Sequence, residues 1–191
     1  MCTDDAAADY DSDGLSLPDR LRAQIHPTHA QSTAWKSSRA LKQQISPDAA
    51  TCLSHTHGAA AAAAWQSGRA GVDIEYMRPR KWAHWHDWII HEDEAAWLHE
   101  QGQSMTAAYA LWTLKESLIK AGAGQWADLP QVGIRRHRNA WVLRDMQGRL
   151  YSGKSICVEN TWMLSCVWSF PAAVKWLGNR SYEDYVSFQA V

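Results

Sequence analysis

The chain's 191 residues suffice for one ample domain or two small ones packed together, and a 46% hydrophobic content excludes wholesale disorder. A net charge of −1 supplies none of the basic footprint that nucleic acid binding needs. No run of about 18 apolar residues occurs, so no membrane span is expected. Cys2, Cys52, Cys157 and Cys166 lack Cys-x-x-Cys spacing and read as reduced thiols of a cytoplasmic protein, not as a zinc site or disulfide frame.

In chain order, Asp4, Asp5, Asp9, Asp11 and Asp13 make residues 1–17 a flexible, solvated acidic tail without the features of a signal peptide. Pro18 to Ile45 reads as helical with a break at His26-Pro27, because proline disfavours a helix at and before its position. Within it, Lys36, Arg39 and Lys42 share a broad face. Six alanines at 59–64 favour a helix by intrinsic propensity. In Gly71-Val72-Asp73-Ile74-Glu75 the polar and apolar residues alternate as in a strand, so Asp73 and Glu75 stand side by side on one face.

Trp82 to His99 is expected to be mostly helical, with Trp82, Trp85 and Ile89 on one face and an interruption near Ile90-His91. Its His84, His86, Asp87 and His91 do not form a metal cluster, since side chains two apart on a helix diverge. His26 and His29 carry no more weight, and His55 and His57 share a strand face without a third ligand. Leu111, Trp112, Leu114, Leu118 and Ile119 recur at helical spacing, which puts Glu116 and Lys120 one turn apart on one face. Ala121 to Gly124 ends that helix. Antiparallel strands follow: Trp141–Arg144, a turn at Asp145–Gly148, a return through Arg149-Leu150-Tyr151, and an apolar strand at Trp162–Trp168.

Two strand carboxylates repel unless a cation lies between them. With a third carboxylate from a helix they form an all-oxygen site suited to Mg²⁺, which keeps positions for water and phosphate oxygens. Asp73, Glu75 and Glu116 are the candidate metal ligands.

The Gly-hydrophobic-Asp-x-Glu strand and the later Trp112-x-x-Lys115-Glu116-x-x-x-Lys120 helix together resemble the signature of the 4′-phosphopantetheinyl transferases, and 43 residues separate Asp73 from Glu116. Ser54-His55-Thr56, upstream of the apolar run, resembles the family's Ser-His pair at the phosphates of coenzyme A. The resemblance is firm over Leu53 to Gly124. It implies an α+β fold of the surfactin-synthetase-activating type: two pseudo-twofold-related lobes, each a small antiparallel sheet on a long helix, at residues 18–102 and 103–191. It implies that the alanine run is a strand, joined by a turn at Ser67-Gly68 to the strand carrying Asp73. The 72 residues before Asp73 favour this two-lobed monomer over the short trimeric type.

The resemblance further implies transfer of the phosphopantetheine arm of coenzyme A to a serine of an apo acyl or peptidyl carrier protein, releasing 3′,5′-ADP. Glu116 would be the base, directly or through water, and Lys120 the cation at the phosphates and leaving group. Ser54, His55, Lys36 and Arg39 would meet the phosphates of coenzyme A, while Lys115 points about 100° away from Glu116 and is secondary. Arg78, Arg80, Lys81 and Arg135-Arg136-His137-Arg138 are candidate contacts to the acidic carrier. One departure stands out: residues 42–53 hold no Gly-Lys-Pro turn of the kind that family members lay against adenine. A binding module without transfer and a Mg²⁺-dependent phosphoester hydrolase are the alternatives.

Overall fold

Prolines set the start of the chain. The computed structural model describes residues 2–46, 48–80, 88–172, 174–177 and 181–190. After a two-residue strand, β1 (Cys2–Thr3), and a 3-10 turn at Asp4–Asp9, helix α1 (Leu17–Ile25) opens with Pro18 in its first turn. It stops before Pro27, which starts the one-turn α2 (Pro27–Ala30). Helix α3 (Thr33–Gln43) is capped by Ser32, whose hydroxyl accepts the Trp35 amide at 3.2 Å. The break expected at His26-Pro27 is present. Residues 1–17, expected as a flexible tail, instead include a strand pairing with the first sheet and a turn packed on α3. Gln43 satisfies the Asp11 backbone twice, accepting its amide and donating to its carbonyl at 2.6 Å.

The alanine run is a strand, because sheet pairing overrides its helical propensity. Strand β2 (Ala50–Thr56) returns as β3 (Ala59–Trp65) through a two-residue turn at His57-Gly58, where Gly58 has φ 72°. The pairing expected between the alanine strand and the Asp73 strand is not made. Strand β3 lies between β1 and β2, and Ser67-Gly68 sends the chain into a second sheet instead.

There β4 (Ala70–Tyr76) pairs antiparallel with a distant strand, β8 (Trp162–Trp168), bringing Asp73 opposite Ser165. Between them in sequence come α4 (Glu92–Glu100), α5 (Met105–Lys120), a 3-10 turn at Trp126–Gln131, β5 (Gly133–His137), β6 (Ala140–Arg144) and β7 (Leu150–Val158). The sheet runs β4-β8-β7-β6-β5, with β9 (Tyr182–Phe188) added to β7. The fold is therefore α+β with antiparallel sheets. The hairpin, the apolar strand Trp162–Trp168 and the helix end at Ala121 follow the sequence pattern. Lys81, Trp82, His84, Trp85, His86 and Asp87 lie outside the described residues. Of the helical stretch expected over 82–99, the part after the interruption expected near Ile90-His91 is present as Glu92–Glu100, with His91 as its N-cap.

Each face of β4 has its own neighbour. Val72 and Ile74 join Ala59, Ala61, Ile156 and Leu164 in one apolar cluster. The opposite face takes α5, whose Leu111, Leu114 and Leu118 are buried with Ile134, Leu143, Met163 and Val167; each such leucine contributes about 1.5–3 kcal/mol. Gly71 makes the approach possible, since a Cβ there would lie 2.0 Å from the Ser117 carbonyl oxygen. Among the described residues no helix is long and apolar enough to cross a membrane.

Candidate functional site

Strand alternation aims Asp73 and Glu75 at α5, where Glu116 and Lys120 emerge from successive turns. Carboxylate oxygens of Asp73, Glu75 and Glu116 all lie within 4.8 Å of one another. Among the described residues this is the only group of acids, histidines or cysteines gathered closely enough to hold a metal ion. Asp73 is buried, and its Oδ2 is enclosed with no hydrogen-bond partner. Burial, and then the Asp73 charge, push the Glu116 carboxyl up to about 8; Glu75 is raised by the same two causes. A buried acceptor without a donor and carboxyls driven toward protonation are the marks of too little positive charge. An oxygen-only donor set of this kind fits a hard divalent cation.

The cation already present is Lys120, whose Nζ lies 2.6 Å from Asp73 Oδ1, 3.0 Å from the Ser54 hydroxyl and 3.9 Å from Glu116. Ser54 donates to Asp73 Oδ1 at 2.7 Å and accepts the Ile74 amide at 3.3 Å. Cys52 Sγ accepts the Val72 amide at 3.4 Å. Strands β2 and β4 belong to different sheets, so these side chains stitch the seam between them. Glu75 is flanked by Arg80 at 3.5 Å, and the Trp112 indole acts with Arg80 to favour its charged form.

Residues 69–158, which span β4, α5 and β7, match the sequence model of the 4′-phosphopantetheinyl transferase superfamily. This stretch of the chain carries the superfamily's sequence signature. No curated protein matches the chain. The match supports phosphopantetheinyl transfer in general terms, and coenzyme A is the substrate that the superfamily uses.

The residues singled out by sequence fall into three groups. Asp73, Glu75, Glu116, Lys120 and Ser54 converge. His55, next to Ser54, sits 6.0 Å ring to ring from His29, and its imidazole is held below the usual histidine range by burial, then by the charges of Arg39, His29 and Lys120. Arg39 is buried, bonded to Asp19 at 3.0 Å and stacked 3.7 Å over the Trp35 ring, while Lys42 reaches Asp19 at 2.5 Å and Lys36 is half-buried. The candidate carrier contacts are separated: Arg135 is buried against Glu94, Arg136 pairs with Glu100 and stacks on Trp141, and Arg80 turns to Glu75.

Sequence reasoning passed over Glu94, Asp19 and the place of Trp112 beside Glu75. Lys115, secondary to Glu116 by sequence, belongs to a separate buried network. Its Nζ bonds both Glu94 oxygens, at 2.7 and 2.6 Å, and the Val132 carbonyl at 2.8 Å. Glu94 also accepts from Arg135, Ile134 N and His91 N. Gly133, at φ +131°, leaves room for this carboxylate, since a Cβ there would stand 1.9 Å from Glu94 Oε1. The available signals were Asp19 as a lone acid among cations, and Trp112 one turn before Glu116 on the same face.

Proposed function

We propose that the chain transfers the 4′-phosphopantetheine arm of coenzyme A to a serine hydroxyl of an apo acyl or peptidyl carrier protein, with Mg²⁺ as cofactor and 3′,5′-ADP as the leaving product. The observation that carries this is the trio Asp73, Glu75 and Glu116 with its enclosed, unpartnered Asp73 Oδ2, set beside Lys120 and His55. These three carboxylates would hold the ion, which neutralises charge on the diphosphate when bound.

The remaining chemistry belongs to side chains. Glu116 takes the proton of the carrier serine, directly or through water. The serine oxygen bonds to the phosphorus bearing the pantetheine arm, and the bond from that phosphorus to the bridging oxygen breaks. The electron pair leaves with 3′,5′-ADP, whose charge Lys120 neutralises or whose oxygen it protonates. Ser54 fixes the Asp73 carboxylate, and Trp112 with Arg80 orients Glu75. His55 and Lys36 meet the phosphates of coenzyme A. Arg39 contributes through its potential, since Asp19 already holds its guanidinium. Two lobes, read from sequence at residues 18–102 and 103–191, and an active cytoplasmic monomer belong to this proposal. Two helix-backed sheets support the two-lobed part, although β4 joins the second sheet and so puts the division between the sheets before residue 70.

Incubation with coenzyme A, Mg²⁺ and an apo carrier tests the reading by mass spectrometry. A carrier heavier by one phosphopantetheine arm supports it. Binding without mass gain would instead favour a binding module, a reading that the capture of Arg39 and Lys42 by Asp19 favours. Release of free phosphopantetheine would favour a hydrolase.

A further inference from the structure

Helix α1 is amphipathic with its faces reversed. Leu17, Leu21 and Ile25 are 65%, 50% and 70% exposed, and the only buried residue of the helix is Asp19. At about 100° per residue, the three apolar side chains form one stripe and Asp19 lies on the opposite side. Asp19 faces inward and fastens the helix to α3 through Arg39 and Lys42, with the Ser16 hydroxyl donating to it at 2.7 Å. The body of the protein is thus gripped by charge, while the apolar stripe is presented to water, where it gives the fold no stabilisation.

The rim of the stripe indicates what covers it. Arg20 and Arg22 flank it on either side, both exposed, and among the described residues neither forms an ion pair. Asp19 is the sole acid between Gly14 and Ser46, and its charge is directed inward. On the helix itself the charges beside the apolar line are both cations, which fits an acidic amphipathic helix. It disfavours a second copy of this chain, because a twofold pairing would bring the arginine rims against each other. The stripe also leads to the site. Ile25 is followed by the His26-Pro27 break and α2, whose His29 ring approaches His55, next to Ser54.

We propose that α1 is the docking helix for the acidic, helical apo carrier protein that delivers the acceptor serine. This rests on the transferase reading above, and it assigns a recognition role to a segment outside the stretch matched by the superfamily model. Leu17, Leu21 and Ile25 enter the partner's apolar groove, and Arg20 and Arg22 meet its carboxylates.

The test uses the full chain, an apo acyl carrier protein and an apo peptidyl carrier protein. Carrier binding is measured by titration calorimetry without coenzyme A, and carrier and coenzyme A KM values are measured in the transfer assay. Leu21→Asp, at an exposed position, is expected to weaken carrier binding and raise carrier KM by about tenfold or more, leaving coenzyme A KM unchanged. Arg20→Glu with Arg22→Glu is expected to raise carrier KM several-fold and to flatten its dependence on salt. Wild type that transfers the arm, with Leu21→Asp matching it in carrier KM, overturns the docking helix alone. Wild type that binds the carrier through Leu21 but transfers nothing overturns the transferase reading alone. Wild type that neither binds nor transfers overturns both. Loss on Leu21→Asp of wild-type self-association, or of binding to phosphatidylserine vesicles, with carrier affinity unaffected, assigns the stripe to a second copy or a membrane and overturns the proposal.

Discussion

Lys115 and Lys120 leave the same helix five positions apart and enter opposite electrostatic situations. Around Lys115 every demand is met: three acceptors take its three protons, and Glu94 receives donors on both oxygens. Burial still draws the Lys115 ammonium down to about 8, against the pull of Glu94. Around Lys120 the demands are left open: three carboxylates share one ammonium and a peripheral arginine, and an Asp73 oxygen has no donor. The closed network stabilises the scaffold, whereas the open one is poised for an additional cation and an anionic substrate.

Mutations test whether the contrast is real. The largest expected effect is Lys115→Ala, which takes from the buried Glu94 the cation that bonds both its oxygens and costs about 3–5 kcal/mol in urea unfolding. Lys120→Met should alter stability far less; equal losses from the two lysines would erase the distinction. Asp73→Ala is expected to lower the transfer rate about 100- to 1000-fold with little loss of stability, since it also removes like-charge repulsion. Retention of full transfer would remove the site from the chemistry. Gly71→Ala should cost about 1–3 kcal/mol, because the added methyl collides with the Ser117 carbonyl and parts β4 from α5.

A pH slope is also expected. Glu116 keeps its proton in the folded chain up to about 8, whereas it titrates near 4.5 when unfolded. The folded state therefore binds more protons across that window. The resulting stability is fully present below about pH 4.5 and is lost as pH rises through about 8. Melting temperature in EDTA should fall over this range, and millimolar Mg²⁺ should flatten the fall while releasing protons. A slope unchanged by Mg²⁺ would argue against carboxylate ligation.

Much of this was legible in the sequence because the carrying patterns are local. Asp73 and Glu75 alternate on a strand, Glu116 and Lys120 repeat on a helix, and Pro27 punctuates the N-terminal helices. Sheet partnership was not legible. A strand of alanines carries no side-chain information about its neighbour, so the His57-Gly58 turn had to be distinguished from Ser67-Gly68 by tertiary context. Long-range charge pairs were equally hidden: nothing local ties Asp19 to Arg39, or Glu94 to Lys115 and Arg135, although each decides what its cation is free to do.

The seam between β2 and β4 has a mechanical consequence. A ladder of peptide groups would lock two strands at a fixed spacing, but here the Val72 and Ile74 amides end on a thiol and a hydroxyl. Sulfur is a weak acceptor, and both side chains turn about their own bonds. The gap can therefore widen or narrow by rotamer adjustment, without breaking a backbone register. Hydrogen exchange at those two amides would act as a strain gauge for the cleft, slowing as an occupant draws the sheets together.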